Sequence, residues 1–394
     1  MKKVIWLGPA FTIAEALTSP ALAPAASRWQ EGFLGGLRDA GAELRIVASR
    51  SERVWPLGPL WIRGDEGAFH GIHRSSVSFV NLPGVRERSL AARYQRALST
   101  ASEQMGGADL IASYNVWEPV AQACRSAARR IGVPWVPILL DYDRTAADWT
   151  DFAASTAGAA GIVFVSHWAF QHAPAPCKLH LDAGVANVPA ALPSANRSRM
   201  LLYTGALHRW GGVETLLDAL PLVRTPGVRL TIVGRGGDAD LHRRLKTTPG
   251  VEYLGGVEEA TVERVTAEAE VLLNPRPAGV VGNEMNFPSK LLHYLSSLKP
   301  VATTLTPGVA PEYRDVVIAA EDDSPSAFAA AIDRALGLSD IEKVGLAHRI
   351  QEFLTNGRLW CDQARRFLGW AASVAGREEI NLQRDGLLSF AASK

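Results

Sequence analysis

Residues 199–234 read RMLLYTGALHRWGGVETLLDALPLVRTPGVRLTIVG and indicate the class of fold. Its first run, RMLLYTG, predicts a buried strand ending in a glycine. Gly212 to Leu222 predicts an amphipathic helix, and VRLTIVG predicts the next strand. Continuous apolar strands of this kind are typical of parallel sheets, in which a helix connects successive strands. The stretch therefore predicts one strand–helix–strand unit of a doubly wound sheet.

The same alternation continues on both sides of this stretch. Towards the C-terminus it includes VEYLG, EVLLN and PVATT, and towards the N-terminus KKVIWLG, ELRIVAS, VSFVNL, ADLIAS, VPWVPILL and GIVFV. Residues 183–198 lack an apolar period and predict an interdomain hinge. The pattern predicts an α/β protein with two Rossmann-like domains facing across a cleft. One comprises residues 1–185 joined by a C-terminal helix at 358–394, and the other comprises residues 199–357.

Charge and cysteine content exclude several classes of protein. The 394 residues include 41 Lys plus Arg and 40 Asp plus Glu, a net charge of +1. This balance argues against a protein held on nucleic acid by bulk charge. The three cysteines are far apart in the chain, which excludes a disulfide framework and a Cys-x-x-Cys metal site.

The N-terminus has two interpretations. MKKVIWLGPAFTIAEALTSPALA carries lysines, an apolar run and Ala21-Leu22-Ala23, as a signal peptide would. Pro9 and Glu15 interrupt the apolar run that a signal peptide needs. We therefore favour a first β-strand over Lys3 to Leu7 and a protein that keeps this segment in the cytoplasm.

The segment at residues 272–313 is the most informative for function. It reads LLNPRPAGVVGNEMNFPSKLLHYLSSLKPVATTLTPGVAPEY, and predicts a glycine-containing loop followed by a helix from Pro288 to Ser297. The free N–H groups of such a helix start attract anions. A cation in the first turn opposes the helix dipole. Lys290 is therefore unfavourable there unless an anion is bound or its side chain points to solvent. With Arg276 nearby, the segment predicts either a diphosphate site or a capped surface helix with solvated charges.

At this point the sequence resembles a known family. FPSKLLHYLSSLKPVATT is similar to the donor-site segment of GT-B-fold glycosyltransferases of the family-4-like, retaining group, which often read FPSKLxEYLAxGKPVV. YTGALHRWGGVETLLDAL, TIVGRGGD, LLNPRP and TTLTPGVAPEY resemble other parts of the same C-terminal domain, in the same order. The resemblance covers residues 200–320, and the N-terminal half matches only in layout.

The resemblance implies that the C-terminal domain binds a nucleotide-sugar donor and the N-terminal domain an acceptor. Gly205 would let the backbone approach the donor phosphates, and Arg235 would lie near the base. Ser289 and Lys290 would stand at the phosphate-binding helix start. Position 293, here a histidine, would face the ribose.

Two cations of the family pattern are missing. The arginine after the opening glycine is replaced by Ala206, and the lysine before the second glycine by Gly211. In the family both neutralise the diphosphate leaving group. Arg209, Arg276 and Lys290 are candidate substitutes.

The paired-glutamate motif E-x7-E is also changed. Its two positions hold Met285 and His293, with Glu284 next to the first. Imidazole can both donate and accept a hydrogen bond, whereas an ionised carboxylate only accepts. The resemblance thus implies a divergent donor site, with Glu284 and His293 as its ribose-side candidates.

Candidate catalytic residues follow two strands of the N-terminal half. Asp141 follows VPWVPILL and Asn115 ends ADLIASY. We interpret Asp141 as a cleft residue that holds sugar hydroxyls or the acceptor, with a helix N-cap as the alternative. Asp141 and Asp143 form a D-x-D pair that suits a metal in another glycosyltransferase fold, but the two-domain layout argues against that fold and predicts no metal. Trp55 and Trp61 are candidates for an acceptor pocket.

The predicted function is transfer of a sugar from a nucleotide-sugar co-substrate to a hydroxyl, with retention. The acceptor would be a glycan, a lipid-linked molecule or a natural product. No further cofactor and no nucleic acid are expected, and membrane contact would be at most peripheral, at the inner face. Two alternatives stay open: a non-catalytic GT-B protein that binds a nucleotide or a partner enzyme, and a nucleotide-sugar hydrolase or epimerase.

Overall fold

The structure, a computed structural model, describes residues 1–18, 24–140, 149–192 and 197–391. The chain divides into two compact units. The N-terminal unit comprises residues 1–165, 169–184 and 360–394, and the C-terminal unit comprises residues 166–168 and 185–359.

Up to residue 184 the described residues form ten strands and six helices. In chain order these are β1 (Lys3–Leu7), α1 (Ile13–Thr18), α2 (Pro24–Asp39), β2 (Glu43–Ala48), β3 (Trp61–Ile62), β4 (Glu66–Phe69), β5 (Ile72–Ser76), β6 (Phe79–Val80), α3 (Arg86–Gln104), β7 (Leu110–Tyr114), α4 (Glu118–Ile131), β8 (Trp135–Leu139), α5 (Thr150–Thr156), β9 (Ile162–Phe164), α6 (His167–His172) and β10 (Lys178–His180).

The main sheet of the N-terminal unit has, in the described residues, the strand order β10-β9-β8-β7-β1-β2-β5-β4. Its strands are parallel except β4, which runs antiparallel to β5. From β5 to β9 this is the doubly wound order, in which the chain fills one side of the first strand and then the other. The predicted strand at Lys3 to Leu7 is present, and β1 lies between β2 and β7 with Val4 to Leu7 buried.

One predicted strand of the N-terminal half lies outside the main sheet. Of VSFVNL, only β6 forms a strand, and it pairs with β3 in a separate antiparallel ribbon. The neighbour of β2 in the main sheet is β5, which carries His73 and the buried Arg74. A strand with these polar side chains lacks the continuous apolar run by which buried parallel strands are recognised.

The C-terminal unit repeats the architecture. Its elements are β11 (Met200–Thr204), α7 (Val213–Ala219), β12 (Arg229–Val233), α8 (Ala239–Thr247), β13 (Val251–Gly255), α9 (Glu259–Glu268), β14 (Val271–Asn274), α10 (Lys290–Leu295), β15 (Val301–Thr303), β16 (Ile318–Ala319), α11 (Pro325–Leu336) and α12 (Asp340–Thr355). Its sheet is parallel throughout in the described residues, with the order β13-β12-β11-β14-β15-β16. Both units are therefore doubly wound α/β domains, as predicted.

The last helix, α13 (Trp360–Ala391), belongs to the N-terminal unit. It packs on α2, where the Trp360 indole lies against Gly32 and in an edge-on contact with Trp29. The predicted return of the C-terminal helices to the N-terminal domain is thus observed for α13. It spans Trp360–Ala391, within the predicted range of 358–394.

The C-terminal end of α9 is closed by a lysine from the segment that follows α10. Lys299 is buried, and its amine donates to the carbonyl oxygens of Thr266 (2.8 Å), Ala267 (2.5 Å) and Ala269 (2.7 Å). The last carbonyls of a helix have no partner within the helix, and a cation there also interacts favourably with the helix dipole. Lys299 therefore joins α9 to the strand β15.

We expect Lys299→Met to lower the free energy of unfolding by about 1.5–3 kcal/mol, since it removes charge-assisted bonds and leaves buried carbonyls unpaired. Urea unfolding followed by circular dichroism measures the change. Lys246→Met is the matched control, because Lys246 is exposed on α8, and it should stay within about 0.5 kcal/mol of wild type. Equal midpoints for the two variants would contradict the capping role.

Candidate functional site

The strand order places a crevice at the carboxyl ends of β11 and β14. From β11 the chain continues to β12 on one side, and it returns to β14 on the other. Ligands of doubly wound sheets bind at such a reversal of strand order. β11 ends at Thr204 and leads into Gly205, and β14 ends at Asn274 and leads into Arg276. The predicted donor residues Gly205 and Arg276 therefore follow the two strands that border the crevice.

Gly205 lies where a side chain would not fit. Its φ is +144°, and a Cβ there would stand 2.7 Å from the Nζ of Lys290. The loop after β12 also approaches it, because a Cβ on Gly234 would come within 1.8 Å of the Gly205 carbonyl oxygen. Only glycine at both positions allows two backbone turns and an amine to meet this closely.

Lys290 is the central cation of the site. Its Nζ lies 4.0 Å from the centre of the Tyr203 ring, and the residue is half-buried. Among the residues that the structure describes, none accepts a hydrogen bond from this amine or forms an ion pair with it. Burial, with a smaller contribution from the nearby charge of Arg276, lowers the pKa of Lys290 to about 7. The site thus holds an amine that an anion would satisfy.

Tyr294 positions this amine. It follows Lys290 by one helical turn, so both side chains lie on the same face of α10. Tyr294 is buried, and its hydroxyl accepts a hydrogen bond from the Thr204 backbone N–H at 2.7 Å. Burial raises the pKa of Tyr294 to about 12, so it stays a neutral phenol. The contact fastens α10 to the end of β11 and sets Lys290 above Gly205.

Arg276 is oriented by two asparagines of its own loop. Its Nε donates to the Oδ1 of Asn283 at 2.7 Å, and its Nη2 donates to the Oδ1 of Asn286. These two partners are neutral amides, and they fix the orientation of the guanidinium. The proximity of Arg276 to Lys290 places two positive groups at one end of the sheet.

The helix that carries Lys290 is shorter than predicted. α10 spans Lys290–Leu295, so the prediction of a helix from Pro288 to Ser297 is wrong at both ends. Ser289 precedes the helix, is exposed, and makes no capping hydrogen bond with its side chain. The chain turns immediately after Leu295, and a helix this short has a small dipole. Attraction for an anion therefore rests on the two side-chain cations.

The other predicted donor residues lie outside this cluster. Arg209 is exposed, with its guanidinium 5.6 Å from the Trp210 ring centre. Arg235 is exposed and its side chain lies across Gly256.

The two candidates for the ribose side have different surroundings. His293 is exposed in the last turn of α10. Glu284 is half-buried, and its Oε2 accepts from the Gly282 backbone N–H at 2.9 Å. No contact with Lys290 is described for His293, Glu284, Arg209 or Arg235. The roles of these four residues stay predictions.

In the N-terminal unit, Asn115 follows β7 with a positive φ of +54°. Its side-chain oxygen accepts a hydrogen bond from the Leu140 backbone N–H at 2.7 Å. Its own backbone N–H donates to the carbonyl oxygen of Ile138 at 2.8 Å. Asn115 therefore ties the ends of β7 and β8 together, and its catalytic role stays a prediction. Asp141 and Asp143 lie outside the described residues.

Four residues of the site were missed from the sequence: Tyr203, Tyr294, Asn283 and Asn286. Tyr294 had a usable signal, since it follows Lys290 at a spacing of four. Tyr203 directly precedes the Thr204-Gly205 turn, but an aromatic residue inside an apolar strand is read as core. The contacts of the asparagines depend on the path of an irregular loop, which has no sequence period.

The described residues contain no group of three His, Cys, Asp or Glu side chains that could hold a metal ion. The helices formed by these residues are too short or too polar to cross a bilayer.

Comparisons with known proteins agree with this architecture. Residues 198–337 match the family model described as glycosyl transferases group 1. HepE from Anabaena in complex with UDP is 16% identical, with a TM-score of 0.66 over 95% of this chain and 100% of that one. A glycosyltransferase from Rickettsia africae is 12% identical, with a TM-score of 0.67 over 95% and 98%.

A third solved structure extends the likeness to plants. The catalytic domain of starch synthase IV from Arabidopsis thaliana, bound to ADP and acarbose, is 12% identical, with a TM-score of 0.65 over 95% and 99%. No curated protein sequence matches the chain. The two doubly wound domains and this structural likeness show that the chain has the GT-B fold, and its residues 198–337 match the model of glycosyl transferases group 1.

Proposed function

We propose that the protein transfers a sugar from a nucleoside diphosphate sugar to a hydroxyl group, with the C-terminal unit binding the donor and the N-terminal unit the acceptor. The observation that carries the proposal is the Lys290 amine, which lies above Gly205 without an anionic partner among the described residues. A half-buried cation without a partner is partly desolvated, and a ligand that supplies the opposite charge would stabilise it.

A diphosphate fits the chemistry of this cluster. Lys290 and Arg276 present N–H donors, and phosphate oxygens accept such charge-assisted bonds strongly. The glycine turn at 205 lets backbone come close to a ligand that a side chain would exclude. The UDP and ADP in the HepE and starch synthase structures are ligands of the same class, which supports a nucleotide-sugar donor here.

In the proposed reaction the bond between the anomeric carbon and the phosphate oxygen breaks. The acceptor oxygen bonds to that carbon from the same face, and its proton passes to the leaving phosphate. Lys290 and Arg276 stabilise the negative charge that develops on the diphosphate. We assign Asp141 and Asn115 to the acceptor side, where they would hold sugar hydroxyls. Because the leaving group takes the proton, no separate base is required.

A second candidate function is nucleotide binding without turnover. It is favoured by Ala206 and Gly211, which stand where the family pattern has cations. Ala206 supplies its carbonyl oxygen to the Tyr203 hydroxyl at 3.0 Å, and a Cβ on Gly211 would lie 2.5 Å from that hydroxyl. Tyr203 thus occupies space beside the positions of the two missing cations.

A thermal-shift screen of nucleoside diphosphates, followed by a turnover assay, tests the proposal. A ligand at 100 times its Kd stabilises the folded protein by about 2.7 kcal/mol. We expect one nucleoside diphosphate to raise the melting temperature and its sugar conjugate to be consumed only when an acceptor is present. Binding without consumption would favour the second candidate, and consumption without an acceptor would indicate a hydrolase or an epimerase.

His293→Glu tests the ribose side of the site. The site keeps Lys290 and Arg276, although two other cations of the family pattern are absent. We therefore propose that His293 contacts a different donor or its phosphate. An added carboxylate should then repel the diphosphate and weaken its binding by about threefold to tenfold. Calorimetry with the best nucleotide from the screen measures this. Tighter binding by the glutamate variant would show a decayed ribose site and contradict the assignment.

A further inference from the structure

The segment between β2 and β4, which includes the short strand β3, exposes several large apolar side chains. We call residues 53–63, RVWPLGPLWIR, the apolar loop. Four of its large apolar side chains are exposed: Trp55 by 45%, Leu57 by 79%, Leu60 by 49% and Trp61 by 45%. Single exposed apolar residues are common, but four large ones within residues 55–61 indicate an interaction surface.

The apolar loop is held in place from below. Asn81 is fully buried, and its side-chain amide donates to the carbonyl oxygens of Arg53 (2.7 Å) and Pro59 (2.8 Å). Its backbone N–H donates to Leu60 at 2.7 Å, and its carbonyl oxygen accepts from the Trp55 N–H at 3.1 Å. One buried asparagine thus fixes both arms of the loop, so the exposure of the apolar side chains is built into the fold.

The charge around these side chains is positive. Arg53 and Arg63 flank the loop, and no acidic residue lies between them. From α3, the guanidinium of Arg93 lies 5.9 Å from the centre of the Trp61 ring. The nearest acidic residues along the chain are Glu52, which precedes Arg53, and Asp65, which is paired with Arg50 at 2.8 Å. The whole chain has a net charge of only +1, so this excess is local.

We propose that the apolar loop docks on the surface of an anionic lipid bilayer. Tryptophan prefers the interface between water and acyl chains, leucine enters the boundary below it, and arginine binds the phosphate headgroups. A protein partner fits less well, because stable protein interfaces bury on the order of 1,000 Å² or more, which one loop tip does not supply. The proposal is independent of donor binding, since it uses no residue of the donor site.

Vesicle flotation with the full-length protein tests the proposal. The vesicles contain equal phosphatidylcholine and phosphatidylglycerol, or phosphatidylcholine alone, and no sugar acceptor. We expect wild type to float with the anionic vesicles, and less so in 0.5 M salt. Leu57→Asp should weaken binding about tenfold or more, because a carboxylate replaces an inserting side chain beside anionic headgroups. Arg63→Gln should weaken binding to anionic vesicles about threefold or more.

Ile341→Asp is the matched control. Ile341 is 85% exposed on α12 of the C-terminal unit, so it places the same charge on an exposed apolar position elsewhere. It should float like wild type, and all three variants should keep the wild-type melting temperature and nucleotide affinity. Failure of wild type to float overturns the proposal and leaves a protein as the occupant. Equal flotation of Leu57→Asp and Ile341→Asp also overturns it.

Discussion

Replacing Lys290 with methionine should weaken the binding of a nucleoside diphosphate by roughly 10- to 100-fold. The amine has no anionic partner among the described residues, so a bound phosphate would supply its charge-assisted contact. Methionine keeps the length of the side chain and its contact with Tyr203 while removing the charge. Calorimetry should show that the nucleoside without phosphates binds both proteins equally.

Lys246→Met is the control for this experiment, because it removes an exposed lysine of the same unit. It should bind the diphosphate like wild type. Equal diphosphate affinity in Lys290→Met and Lys246→Met would remove Lys290 from the site. The apolar loop and its vesicle binding would be unaffected by that result.

The affinity of the wild-type protein should also depend on pH. Burial holds the pKa of Lys290 at about 7 in the free protein, and a bound diphosphate should raise it. Binding then takes up a proton, so affinity is full below pH 7 and falls about tenfold for each pH unit above it, until the pKa of the complex is reached. Calorimetry in buffers of different ionisation enthalpy measures the uptake. A pH-independent affinity between pH 7 and 9, or the same pH dependence in Lys290→Met, would contradict this role.

Gly32→Ala should lower the free energy of unfolding by about 2–4 kcal/mol. A Cβ at this position of α2 would lie 2.1 Å from the Trp360 indole nitrogen. The indole has no room to retreat, because its other contacts include Trp29, Phe33 and Gly184. The added methyl therefore forces α13 away from α2, which is the cost of overpacking a filled core.

Gly35→Ala, on the same helix, is the matched control. A Cβ there meets nothing within 4 Å, so the substitution should stabilise the protein by up to about 1 kcal/mol through helix propensity alone. Urea unfolding of the two variants should give changes of opposite sign. A stabilised Gly32→Ala would mean that the contact between α2 and α13 is looser than the structure shows.

The doubly wound architecture was predictable because its signals are local. A run such as RMLLYTG is apolar at every position since a central parallel strand is covered on both faces, and a glycine follows where the chain turns. β5 was not predicted because Arg74 interrupts its apolar run. The buried guanidinium of Arg74 forms an ion pair with Glu15 of α1, with 3.0 Å between the two groups. The predicted bounds of α10 were wrong at both ends, where Ser289 makes no capping hydrogen bond with its side chain and the helix ends after Leu295.

The alternation of strands and helices, the two doubly wound domains and the candidates Arg276 and Lys290 were predictable from residue type and short spacing along the chain. Gly205 was a candidate through the resemblance to the glycosyltransferase family. Three contacts became visible in the folded protein alone: Lys290 with Tyr203 and Gly205, Tyr294 with Thr204, and Asn81 with the apolar loop. The desolvation and charge environment of a side chain depend on atoms brought near by folding, often from distant parts of the chain, and a local pattern does not contain them.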